Sequence, residues 1–258
     1  MEKWLNDKKI VVIGGTSGIG LSATRAFIAH GAAVVAVGLA PVVNPELDGS
    51  VRWLVGDARE ESTARTAVKI CQEQFGGFDG LYHVAGGSGR RFGDGPLHEM
   101  THEAWEQTFQ LNLTALMYSN RAAVKAWIDM ERGGSILNLS TALAYAPAPD
   151  YFTTHAYAAA KAAVIGFVKS TASYYARLNI RINAIAPGLI ETPMSQRAMG
   201  NEAILRYVGA RQPLDGGRPG QPEDLDGAAV YFMSDASRFT TGQILAVDGG
   251  WGVSEGRL

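Results

Sequence analysis

The chain has 258 residues, 47% of them hydrophobic and 19% charged, a balance that excludes a disordered polypeptide and allows a core without disulfide or metal staples. Its 23 basic and 25 acidic residues leave a net charge of -2, with no basic run beyond Lys8-Lys9 and Arg90-Arg91, so nucleic acid is not an expected partner. No stretch reaches the ~18 consecutive apolar residues of a membrane span, and the single cysteine, Cys71, has no intrachain partner; a cytoplasmic protein that binds no membrane is expected.

Along the chain, short apolar runs alternate with longer amphipathic segments. The runs fall at 9–14 ("KIVVIG"), 32–38, 51–56, 80–86, 135–140, 180–188 and 243–250. They are strand-length, rich in β-branched residues and nearly continuous, as strands buried on both faces should be. Helical patterns occupy 18–30, 60–75, 101–129, 155–178 and 222–234. The alternation predicts an α/β fold: a single domain over 1–258 built on a doubly wound Rossmann-type sheet of about seven parallel strands with helices on both faces. Between the second and third strands "LAPVVNPELDGS" carries two prolines and no helical period, so a loop is expected there. Residues 189–221 mix a short helix near "EAILRYVG" with "QPLDGGRPGQP", and read either as a lid over a pocket or as a surface excursion.

The first strand ends in "GGTSGIG", residues 14–20, directly before a helix. Gly14, Gly18 and Gly20 let the backbone turn sharply and approach a pyrophosphate, with Thr16, Ser17 and Ile19 completing the loop at the helix N-terminus. A glycine-rich turn without a ligand is the alternative for any such loop taken alone. The end of the second strand normally selects the cofactor, through an acidic residue for a ribose or an arginine for a 2′-phosphate. Neither stands there: Gly38-Leu39 occupies the corner, and no residue from Gly31 to Pro45 is charged. A 2′-phosphate without a nearby cation would be costly to desolvate, so of NAD and NADP the sequence favours NAD. Asp57 and Ala58 follow the third strand and Ala85, Gly86 and Gly87 the fourth, where ligands of such sheets bind; Asp57 is placed to accept from an adenine amino group, or it is a turn former.

Tyr157 and Lys161 lie four positions apart on the strongly helical "AYAAAKAAV", so both side chains emerge on one face. A free tyrosine titrates near ~10, and a neighbouring ammonium makes its phenolate more accessible. Taken alone, such a pair also describes an ordinary amphipathic surface.

"GGTSGIG", "AG" at 85–86, "LNLTA" around Asn112, "LNLST" closing the fifth strand, Y-x-x-x-K at 157–161, "IAPG" at 185–188 and "GQILAVDGG" near the end, in this order, resemble the classical short-chain dehydrogenase/reductase family over essentially the whole chain. The resemblance implies an NAD(P)-dependent oxidoreductase interconverting a secondary alcohol and a ketone. It makes Tyr157 the general acid/base, Lys161 the group that lowers its pKa and binds the nicotinamide ribose, Ser140 or Thr141 the hydroxyl on the substrate oxygen, and Asn112 the support of a proton path. It also implies that Pro187, Gly188, Ile190 and Thr192 hold the nicotinamide, and that the protein is a homodimer or homotetramer. Three positions depart from the family pattern: Thr141 stands where a second serine is usual, Val84 replaces an asparagine, and Ile13 replaces a common threonine. These leave open an inactive cofactor-binding sensor or scaffold. An enoyl-type double-bond reductase is a further alternative, against which the close Tyr157–Lys161 spacing argues.

The segment "LAYAPAPDYF" between the hydroxyl pair and Tyr157 is longer than the family pattern requires. Leu143, Tyr145, Tyr151 and Phe152 are expected to wall an apolar or ring-shaped substrate, or else to pack at a subunit contact. Arg90 and Arg91 either grip an anion near the site or are solvated. No His, Cys and acidic residues cluster at metal-ligand spacing, so no metal is expected.

Overall fold

The computed structural model describes residues 3–40 and 49–256. Seven strands, β1 (Lys9–Ile13), β2 (Ala33–Gly38), β3 (Val51–Val55), β4 (Gly80–His83), β5 (Gly134–Leu139), β6 (Ile180–Pro187) and β7 (Ile244–Val247), form one sheet in the order β3-β2-β1-β4-β5-β6-β7. Every neighbouring pair is parallel. The order reverses between β1 and β4, so the connections leaving their carboxyl ends diverge and open a crevice there.

The two-residue period of the strands divides the core. Val11, Ile13, Val35 and Val37 face α2 (Glu61–Phe75), α4 (Ala115–Asp129) and α5 (His155–Tyr175), while Ile10, Val12, Val34 and Ala36 face α1 (Gly18–Ala29) and α8 (Asp226–Met233). On the first face Trp127 stacks on Phe78 with ring centroids 4.9 Å apart, its indole N–H donating to the Phe78 carbonyl. Cys71 is fully buried here, and burial pushes its thiol up to about 12, so it is an inert core residue.

The helix expected over 101–129 is interrupted. It comprises α3 (His102–Phe109), a wider π turn over Gln110–Thr114, and α4. The Asn112 side chain donates to the Thr108 carbonyl at 2.9 Å, taking the acceptor that an uninterrupted helix would offer the backbone. The last two expected helices are shorter than their patterns, with 3-10 turns at Ala176–Leu178 and Pro222–Leu225. The loop expected in place of a crossover helix at 39–50 falls mostly on residues 41–48, outside the described residues.

Residues 189–221 contain α6 (Gln196–Met199) and α7 (Glu202–Arg211). With the 142–152 segment and Trp251 they enclose a third, smaller core around Ala148, Ala198, Ile204 and Val208. This satellite core sits beyond the carboxyl ends of β5 and β6 and roofs one side of the crevice.

Candidate active site

The loop after β1 is built for close approach. Gly14 has φ +89°, and a Cβ on Gly20 would lie 2.0 Å from the Gly14 carbonyl oxygen, so the turn closes only with hydrogen at residue 20. At the end of β2, a Cβ on Gly38 would lie 1.8 Å from the Thr16 hydroxyl, which occupies that space instead. The Ser17 side chain does not cap α1, so the orphan N–H groups of the first turn are available to an anion. These residues open on a cleft of about 520 Å³ that is also lined by Ile19, Leu39, Asp57, Ala58, Ala85, Gly86, Gly87 and Thr192. A glycine cradle, an uncapped helix terminus and a cleft at the switch point fit a dinucleotide.

The cofactor corner differs from its sequence reading in one respect. Asp57 accepts from Arg59 through Nη2 at 2.6 Å and Nε at 3.0 Å, and Arg91 joins the cleft lining, so cations reach the corner from the third and fourth strand loops although none stands between 31 and 45. The Arg59 hydrogen bond holds the Asp57 carboxyl below the ordinary carboxylate range, against the opposing effect of burial.

Beside the cleft, Tyr157 and Lys161 project from one face of α5. The Lys161 ammonium is buried, donates to the Leu139 carbonyl at 2.7 Å and lies 5.9 Å from the Tyr157 ring centroid. Burial lowers Lys161 to about 8 and raises the Tyr157 phenol to about 12, with the Thr141 hydroxyl opposing the latter through a hydrogen bond. The ammonium is turned to a main-chain carbonyl and to the ring face rather than to the phenol oxygen, and in this arrangement it is Thr141 that opposes the rise of the phenol. The two candidate hydroxyls differ in their partners. Ser140 Oγ donates to the Lys161 carbonyl at 2.9 Å and braces α5, whereas Thr141 Oγ1 donates to the Pro187 carbonyl at 3.5 Å and stands close enough to Tyr157 to oppose the rise of its phenol.

Asn112 braces the loop after β4 from the π turn. Its Oδ1 accepts from the Gly87 N–H at 3.0 Å and its Nδ2 donates to the Gly87 carbonyl at 2.9 Å. A residue that sequence reasoning missed holds the start of α5: buried Asp94 accepts from the N–H groups of Ala156 and Tyr157 at 3.0 and 2.9 Å, while Thr154 at the N-cap makes no side-chain cap. The carboxylate both satisfies orphan donors and opposes the helix dipole's positive end. Asp94→Ala is expected to cost about 1–3 kcal/mol of stability, read as a lower urea midpoint at unchanged slope.

A second cavity, of about 420 Å³, adjoins the cleft. Tyr157, Ile19, Leu139 and Thr192 line both, so the tyrosine stands in their common wall. Ser140, Thr141, Pro187, Gly188 and Ile190 border this second space, as do Leu143 and Phe152. Tyr145 and Tyr151 do not: Tyr145 is exposed, and Tyr151 packs on Tyr207 at 5.0 Å inside the satellite core. Trp251, Leu189 and Met194 supply the wall instead, and no local signal in the sequence marks them. Among the described residues no group of His, Cys, Asp and Glu could hold a metal, and no helix is long and apolar enough to cross a membrane.

A family model described as enoyl-(acyl carrier protein) reductase matches residues 14–252. The chain is 33% identical over 252 residues to 2,5-dichloro-2,5-cyclohexadiene-1,4-diol dehydrogenase of Sphingobium indicum, a match covering 96% of this chain and 98% of that protein. It is 34% identical over 252 residues to cis-4-hydroxycyclohexanecarboxylate dehydrogenase of Sinomonas cyclohexanicum, covering 95% and 96%. A short-chain type dehydrogenase/reductase from Mycobacterium ulcerans has the same fold at TM-score 0.85 and 30% identity, over 97% of this chain and 91% of the other. The sheet order, the glycine cradle, the Tyr157–Lys161 pair and these similarities place the chain in the classical short-chain dehydrogenase/reductase family, whose members use NAD or NADP.

Proposed function

We propose that the protein interconverts a secondary alcohol and a ketone on a ring-bearing substrate, with Tyr157 as general acid/base. The observation that carries this reading is the position of Tyr157 in the wall between the cleft and the cavity, with Thr141 lining the same cavity. The nicotinamide, when bound, supplies the hydride acceptor or donor. The protein supplies orientation and the proton: Thr141 holds the substrate oxygen, and Tyr157 takes its proton on oxidation and returns it on reduction. Asn112 and Asp94 keep the loop after β4 and the first turn of α5 in place. Residues 189–221 act as a lid, carrying Leu189, Met194 and Ala198 over the cavity.

With the phenol raised to about 12, Tyr157 is protonated at neutral pH and is ready to donate. Ketone reduction is therefore expected to be flat through neutrality and to fall at alkaline pH. Alcohol oxidation, which needs the phenolate, is expected to rise about tenfold per pH unit until other groups limit it. Profiles of kcat/KM in both directions read this out, and an oxidation rate that falls with rising pH between 7 and 9 would contradict the assignment.

NAD is the cofactor this reading favours. Arg59 is engaged with Asp57, and that carboxylate repels a 2′-phosphate. Fluorescence titration should find NADH bound more tightly than NADPH, and the reverse order would give the corner to Arg91 instead. The description of the matching family model favours a second reading, reduction of an activated carbon-carbon double bond. Product analysis separates the two, since only the first yields a ketone from a saturated ring alcohol. A homodimer or homotetramer fits the exposed Ile128 and Tyr174 on α4 and α5, with light scattering as its check, and cytoplasmic residence fits an unpaired, buried Cys71.

A further inference from the structure

Two arginines meet at the open end of the substrate cavity. Arg90 stands in the 3-10 turn Arg90–Phe92 after β4, half-buried, and Arg197 stands on α6, exposed. Both line the cavity, and both guanidinium groups donate to the same acceptor, the Tyr151 carbonyl, Arg197 at 3.1 Å and Arg90 at 3.4 Å. Two cations thus share one neutral oxygen. Among the described residues neither has a carboxylate within salt-bridge distance. The acidic group that acts on Arg90, Asp94, has its two oxygens on the Ala156 and Tyr157 N–H groups.

This placement is electrostatically unfavourable by itself. Burial and then the charge of Arg197 push the Arg90 guanidinium below its ordinary range, with Asp94 opposing. The arrangement is nonetheless held in place. Arg197 lies 5.9 Å over the Phe152 ring, and Phe152 packs edge-on against Trp251. Other walls include Leu143, Leu189, Ile190 and Trp251; Thr141, Tyr157 and Thr192 are among the cavity's polar groups, and a third guanidinium, Arg91, lines both the cavity and the cleft. An apolar chamber with a proton-transferring hydroxyl on one side and an unpaired cationic pair at its mouth is complementary to a molecule with an apolar middle and an anionic end. Planar, forked guanidinium groups match a carboxylate better than an ammonium would.

We infer that the cavity takes a carboxylate-bearing substrate, a ring-sized hydroxy acid or oxo acid whose carboxylate is gripped by Arg90 and Arg197 while its carbinol or carbonyl carbon faces Tyr157. The choice of a hydroxy or oxo acid rests on the alcohol–ketone reading above; the carboxylate grip does not. Calorimetric titration of the protein with cyclohexanecarboxylate and with the near-isosteric cyclohexanecarboxamide tests the grip without turnover. The acid should bind about 10- to 100-fold more tightly than the amide, as charge-assisted pairs predict, and added salt should weaken only the acid. Arg197→Gln, at an exposed position where the fold is not at stake, should remove about tenfold of the acid's advantage, and Arg90→Gln should do the same. Equal binding of acid and amide, no binding of either, or an unchanged preference in R197Q overturns the inference. Should the acid be preferred while 4-hydroxycyclohexanecarboxylate gives no ketone with NAD or NADP, the carboxylate grip stands and the alcohol–ketone reading is what fails.

Discussion

Tyr157→Phe is expected to lower kcat by about 10²- to 10⁴-fold, the usual contribution of a positioned acid or base, while leaving cofactor affinity within a few-fold of the native chain. The substitution removes one oxygen and keeps the ring that separates the cleft from the cavity, so the walls of both should persist. The neighbouring Thr141 hydroxyl donates to the Pro187 carbonyl at 3.5 Å and keeps that bond, so the loss should register in turnover rather than in stability. Steady-state kinetics beside a cofactor titration make the check. A variant that binds cofactor and turns over at the native rate would remove Tyr157 from the chemistry.

Gly20→Ala should act on the other half of the site. Its methyl group would lie 2.0 Å from the Gly14 carbonyl oxygen and 3.1 Å from the Gly15 Cα, and those neighbours are main chain, which cannot rotate away as a side chain would. Either the loop after β1 opens or α1 shifts along the sheet. Both movements disturb the uncapped N-terminus of α1 and the turn at Gly14. Overpacking of this kind costs about 1–3 kcal/mol, so cofactor affinity should fall about ten- to hundredfold, with a lower melting temperature alongside. Titration of G20A with reduced cofactor, followed by fluorescence, reads the first effect. Native affinity in this variant would mean that the cleft beside Gly20 is not where the dinucleotide lies.

The strands were legible because each is a short apolar run with β-branched residues, and because burial on both faces leaves no alternating pattern to misread. Tyr157 and Lys161 could be paired on paper since a helix fixes what lies four residues apart. The glycine cradle is equally local. What stayed hidden depends on contacts across the chain. Asp94 holds the first turn of α5 from 62 residues away, and nothing near it in sequence distinguishes it from a loop aspartate. Trp251 and Arg197 reach the cavity only because the 142–152 segment, α6 and α7 close into a satellite core. That same closure draws Tyr151 onto Tyr207, away from the space its neighbour Phe152 lines. The bracing of α5 by Ser140 rests on one hydrogen bond, to the Lys161 carbonyl, which propensity cannot foresee. The π turn at Asn112 escaped for a related reason, since a helical pattern does not record a side chain taking a main-chain acceptor within it.

The most direct test of the central claim, hydride exchange between a carbinol carbon and the nicotinamide with the proton carried by Tyr157, is an isotope transfer. A ring-bearing secondary alcohol labelled with deuterium at the carbinol carbon is incubated with the protein and oxidised cofactor, and both products are analysed by mass spectrometry. The account predicts one deuterium in the reduced cofactor for each ketone formed, with both products lost together in Tyr157→Phe. Ketone formed without label in the cofactor, no ketone from any such alcohol while cofactor binds, or full label transfer in Tyr157→Phe would contradict it.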